Sequence, residues 1–191
     1  AAAAALAADI ERHNGHFTTG IHGAKRLYVA LSATGHGRLA ETVLTRTTYP
    51  SIGYLFSLGA TTMWENWSLT NNHRNNPRSH NHPMNTGFAT WFHQALGGIN
   101  LAEDVPAFRR FLLRPDIHND LRHVRATHRS PYGWIVSEWN IDGDRFDWKV
   151  MVPANTTAEV RVPAAPSVSV TEGGRPAEEA PAVHFLRRED G

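Results

Sequence analysis

One feature limits this chain more than any other: its apolar residues change period partway along. Up to about residue 96 they recur at helical spacing, and after Pro106 they fall into short Val- and aromatic-rich runs. In the first part, residues 1–13 form an Ala-rich stretch that stops at Asn14-Gly15. Residues 22–34 carry Leu27, Val29, Ala30 and Leu31 and stop at Gly35, and residues 37–48 carry Leu39, Val43 and Leu44 before Pro50. A polar, Gly-rich and aromatic stretch follows from Tyr49 to about Met84. A last helix is predicted over Phe88–Leu96, ended by Gly97-Gly98. Beyond Pro106 the runs Phe108–Leu113, Leu121–His128, Gly133–Ile141, Arg145–Val152, Thr157–Val162 and Ser167–Thr171 are separated by turn residues, with Asp142-Gly143 as a hairpin signal. Helical hairpins over 1–104 and an antiparallel β-sandwich over 105–191 are the expected architecture. In it, Leu27, Leu31, Val43 and Leu44 are expected to need neighbouring hairpins from outside the chain to cover them.

Composition closes off several functions. The chain has 19 basic and 18 acidic side chains, a formal net charge of +1, which gives no reason to expect nucleic acid or an anionic membrane as partner. No apolar run approaches the roughly 20 residues a spanning helix needs. The opening Ala-rich segment has no basic stretch before it and reads as the end of a helix, not a leader, so the chain is expected to begin inside a longer one. With no cysteine, disulfides, thiol chemistry and Cys-based zinc sites are absent. Compartment stays open between cytoplasm, periplasm and secretion.

The stretch that could carry chemistry is Gly59-Ala60-Thr61-Thr62-Met63-Trp64-Glu65-Asn66-Trp67. A carboxylate between tryptophans suits a glycosidase, because indole faces stack on sugars and their low polarity tunes the acid beside them. A solvent-facing Glu flanked by core tryptophans fits the same residues equally well. His73, His80, His82 and His93 lack a carboxylate at ligand spacing, so no metal is expected. Trp134 and Trp139 could form a sugar platform, but alternation along a strand favours packing.

Several motifs in order resemble glycoside hydrolase family 78, the α-L-rhamnosidases. They are His16-Phe17-Thr18-Thr19-Gly20, Tyr49-Pro50-Ser51-Ile52-Gly53-Tyr54, and Gly59-Ala60-Thr61-Thr62 with Trp64-Glu65 and Trp67. Asn81-His82-Pro83-Met84 with Trp91-Phe92, then Pro131-Tyr132-Gly133 and Val152-Pro153-Ala154-Asn155, continue the series over nearly the whole chain. The resemblance implies the last helices of an (α/α)6 six-hairpin barrel followed by a jelly-roll-like sandwich, and an inverting, cofactor-free mechanism. It implies Glu65 as general base, His82 as a contact to the rhamnose hydroxyls, and Trp64 and Trp67 as pocket groups. The general acid is expected upstream of this chain, and the sandwich is expected to continue past Gly191. Expected partners are an α-L-rhamnoside and the rest of the same barrel, with neither nucleic acid nor membrane. Two competing readings are a non-catalytic carbohydrate-binding module built on the sandwich and another (α/α)6 glycoside hydrolase.

Overall fold

A computed structural model describes residues 1–67, 79–118, 121–165, 167–181 and 183–188. Helices come first and sheets second. Helix α1 spans Ala2–Arg12, α2 Ile21–Ala33, α3 Gly37–Thr45, α4 Ile52–Ser57 and α5 Gly87–Trp91. Two of the helix ends follow the glycine signal. Gly15 and Gly35 sit at φ +74° and +81°, and the amides of Gly15 and His36 reach back to the carbonyls of Ile10 and Leu31.

Helix α4 was not expected, because its segment is rich in glycine. The glycine there serves close packing: a Cβ on Gly53 would stand 2.5 Å from the Arg46 carbonyl oxygen. Ser51, fully buried, caps α4 by accepting from the Tyr54 amide at 3.0 Å. The helix predicted over Phe88–Leu96 is instead two pieces, α5 and a π-helical turn at Phe92–Leu96. In that turn the Gly97 amide reaches the Phe92 carbonyl at 2.9 Å.

Ile10, Leu27, Tyr28, Leu31, Val43, Trp91 and Leu96 are the centre of the helical core, with Leu44 packed on it. This corrects the expectation that Leu27, Leu31 and Val43 are left uncovered: their neighbours lie within the chain, chiefly α2 against α3 and α5. Helix α5 sits directly on the backbone of α2, since a Cβ on Gly87 would lie 2.4 Å from the Lys25 carbonyl oxygen.

Strand β1 (Ile99–Leu101) follows the π turn after one glycine pair and was too short for its period to register. It pairs antiparallel with β2 (Arg110–Leu113), and β2 pairs with β6 (Thr157–Val160). That last pairing is parallel, a departure from the all-antiparallel expectation. The second sheet intervenes between β2 and β6 in sequence, so the chain returns across the sandwich and enters in the same direction. The second sheet is the antiparallel meander β3 (His123–Ser130), β4 (Gly133–Asp142) and β5 (Arg145–Met151). The run Ser167–Thr171 contributes only β7 (Thr171–Glu172), which pairs with β8 (Arg175–Pro176) across Gly173-Gly174. Both glycines have positive φ, as a two-residue hairpin turn requires. Between the two larger sheets Ile99, Phe111 and Leu113 face Ala126 and Ile135, with Trp148 and Val150 at the margin.

Helices and sheets meet along the segment that follows β2. The amides of Arg114 and Asp116 donate to the carbonyls of Gly98 and Ala95, each at 2.9 Å. On β4, fully buried Trp139 donates from Nε1 to the Leu96 carbonyl at 2.8 Å. Trp134 points outward, half exposed, with the Arg129 guanidinium 5.9 Å from its ring.

At the same junction His118 stands between Asp116, at 3.2 Å from Nδ1, and Glu41 of α3, at 4.0 Å from Nε2. Burial opposes ionisation of Asp116. The His118 imidazole, the Ser32 hydroxyl and the Arg114 charge outweigh it and hold the carboxyl below its ordinary 3.8. A depressed carboxyl contributes stability above its unfolded value and loses it as the pH falls through the folded one. Stability should therefore drop below about pH 4, and Asp116→Asn should flatten that loss. Urea melts of both proteins at about pH 7 and about pH 3 measure the difference, and equal acid losses would remove Asp116 from the account.

Candidate active site

The Thr62–Trp67 segment has no helix or strand of its own and is held in place by a second loop segment. The Glu65 amide donates to the Ser79 carbonyl at 2.8 Å, and the His82 amide donates to the Met63 carbonyl at 2.7 Å. The Thr62 hydroxyl donates to the His80 carbonyl. These bonds lay residues 62–65 beside residues 79–82, with Glu65 opposite Ser79 and His82 opposite Met63. The eleven residues between the two segments, Ser68–Arg78, lie outside the described residues, His73 among them.

Glu65 is half-buried, and its Oε2 accepts from the Ser79 amide at 3.3 Å. Trp64 is buried, with its indole stacked on the His80 ring at 4.3 Å and 15°. Trp67 stacks on Phe17 at 4.4 Å and 25°, and through it joins the helical core. Both indoles thus have a face occupied by a protein ring, and they serve the loop as walls. His82 precedes a 3₁₀ turn at Pro83–Thr86 and caps it, its Nδ1 accepting from the Met84 amide at 3.4 Å.

Three residues that sequence reasoning did not single out hold this arrangement. Ser79 meets Glu65 through both its carbonyl and its amide. His80, weighed from sequence only as a metal ligand, uses its ring to cover Trp64. Asn85, 1% exposed, donates from Nδ2 to the Trp64 carbonyl at 2.7 Å. A buried asparagine within a polar run carries no periodic signal by which sequence could mark it. Among the described residues no group of three His, Asp or Glu side chains is arranged to hold a metal, and no helix is long and apolar enough to cross a membrane.

A concavity lies on the sheet domain. It is a shallow hollow of about 340 Å³ lined by His123, Glu138, Trp139, Asn140, Asp147, Trp148 and Lys149. Glu138 there is already engaged by His123 at 3.3 Å and Arg125 at 3.4 Å. Trp134, the residue considered for a sugar platform, does not line the hollow.

Comparison with known proteins matches two models in succession. Residues 1–96 match the bacterial alpha-L-rhamnosidase 6 hairpin glycosidase domain, and residues 98–176 match the bacterial alpha-L-rhamnosidase C-terminal domain. An alpha-L-rhamnosidase of Streptomyces avermitilis is 34% identical over 197 residues, covering 100% of this chain and 18% of that protein. One from Formosa agariphila is 30% identical over 166 residues, covering 87% of this chain and 17% of that protein. Among solved structures, the Streptomyces avermitilis alpha-L-rhamnosidase complexed with L-rhamnose superposes with a TM-score of 0.76 at 34% identity. It covers 85% of this chain and 16% of that one. The alpha-L-rhamnosidase from Dictyoglumus thermophilum gives a TM-score of 0.79 at 29% identity, over 91% of this chain and 19% of that one. The chain therefore spans less than a fifth of the length of these relatives.

Proposed function

Because the chain belongs to the bacterial α-L-rhamnosidase family, we propose that it is a segment of an inverting glycoside hydrolase that removes terminal α-L-rhamnosyl residues, with Glu65 as the general base. The observation that supports this reading is the pairing of residues 62–65 with residues 79–82, which holds half-buried Glu65 against Ser79 and puts His82 on the same pair of loop segments, opposite Met63. Glu65 takes a proton from water as the water oxygen attacks the anomeric carbon. The bond to the aglycone oxygen breaks on the opposite face, where a general acid protonates the leaving oxygen. That acid belongs to the part of the polypeptide outside this chain, standing roughly 6.5–9.5 Å from Glu65 so that water fits between. His82 binds sugar hydroxyls, and Trp64 and Trp67 shape the pocket wall. No cofactor takes part.

Two assays test the reading together. The full-length protein should hydrolyse a nitrophenyl α-L-rhamnoside and release the β-anomer of rhamnose first, as read by proton NMR. Residues 1–191 alone should show no measurable hydrolysis, because they supply a base without its acid and half a pocket without its positioning. Release of the α-anomer first would replace inversion with retention. Glycan binding by the isolated chain that survives Glu65→Gln and His82→Ala but is lost with Trp134→Ala would put the site on the sandwich, as a binding module.

A further inference from the structure

The peptide unit joining Trp64 to Glu65 has both of its polar groups fixed by side elements. Its N–H, from Glu65, goes to the Ser79 carbonyl at 2.8 Å, and its carbonyl, from Trp64, receives Asn85 Nδ2 at 2.7 Å. The amide orientation at Asn85 follows from the partner: a carbonyl oxygen only accepts, so turning the amide over would press two oxygens together. Asn85 is itself held firmly. It sits in the Pro83–Thr86 turn, which runs straight into α5, and Gly87 seats α5 on α2 with no room for a Cβ against the carbonyls of Lys25 and Ala24. Its Oδ1 is buried without a hydrogen-bond partner among the described residues, so the side-chain amide is used for one bond, the one to the Trp64 carbonyl.

We propose that Asn85 is a positioning residue for Glu65: its Nδ2 locks the plane of the Trp64–Glu65 peptide onto the helical core and so aims the carboxylate that follows. The proposal rests on Glu65 being the base. A side chain one bond from a fixed peptide inherits its direction, and a tilt that moves a carboxylate by about 1 Å is enough to cost a hundredfold in rate. The water that Glu65 deprotonates must lie in line with the anomeric carbon, so this tolerance applies to kcat. Sugar binding depends on the whole pocket and is affected much less.

Asn85→Leu and Asn85→Asp in the full-length protein test this. Leucine fills the volume and removes the partnerless oxygen, so the fold should hold, whereas the Trp64 carbonyl loses its donor. Aspartate keeps the shape and places an oxygen against that carbonyl. For both variants kcat per rhamnose-binding site should fall about tenfold to a hundredfold, with KM within about threefold of the parent. The melting temperature of Asn85→Leu should stay within a few degrees. A leucine variant that keeps kcat within threefold overturns the proposal, as does a parallel rise in KM that accounts for the loss. So does failure of both variants to fold, which would make Asn85 a core residue only. Glu65→Gln run beside them separates the two readings: loss there with full activity in Asn85→Leu sinks the positioning role alone. Activity retained in Glu65→Gln sinks the base and this proposal with it.

Discussion

Glu65→Gln in the full-length protein is expected to lower kcat on an aryl α-L-rhamnoside by about 10²–10⁴-fold while leaving rhamnose binding nearly unchanged. Glutamine keeps the length and branching of the side chain and can still accept from the Ser79 amide, so that contact to the second loop segment is kept. It cannot take a proton from water. The loss should therefore fall on the chemical step and persist on activated substrates, whose good leaving groups relieve the acid but not the base. Measurement of kcat on nitrophenyl and natural rhamnosides, with rhamnose binding by calorimetry, distinguishes this from damage to the pocket. A loss below about tenfold on both substrates would remove Glu65 from the role.

The largest effect on stability should come from Trp139→Ala. This side chain is fully buried on β4, and its Nε1 closes on the Leu96 carbonyl at the last turn of the helical part. Truncation deletes a large apolar volume at a place where neither side can collapse, because Gly97 already touches Ala126 and Gly98 touches the backbone of Pro115. Losses for such substitutions run to about 3–5 kcal/mol. Trp139→Phe separates the parts of that cost: it retains most of the packing and leaves the Leu96 carbonyl buried and unpaired, for about 1–3 kcal/mol. Urea unfolding of the two variants checks the ordering, and equal losses would mean that the hydrogen bond dominates.

Much of this was legible from the residues. Ala-rich composition and a glycine stop marked α1, helical spacing of apolar residues marked α2 and α3, and turn residues marked β3, β4 and β5 because each strand is joined to the next by a tight hairpin. The failures share a cause: they depend on contacts that residue periodicity does not encode. Gly53 breaks the helical pattern of α4 in order to let it approach Arg46, and β1 is three residues held by a partner beyond an intervening loop. At the site, Glu65 and the tryptophans stood out by type and order. The bonds that hold them did not, because Ser79, His80 and Asn85 act through backbone carbonyls and ring faces, for which residue identity is a weak guide.

The parallel pairing of β2 with β6 has a consequence for synthesis on the ribosome. The β3–β4–β5 meander can form from neighbouring stretches as they emerge, since its contacts are local. The β1–β2 ribbon cannot complete its sheet until Thr157–Val160 has been made, because all of β3–β5 is translated first. In that interval β2 presents Arg110–Leu113 as an open edge whose side chains include the apolar Phe111 and Leu113, the kind of surface that pairs with the wrong chain. The last strand of this sheet to be made is thus the one that covers its open edge, and a nascent chain stalled before residue 157 would be the form most exposed to aggregation.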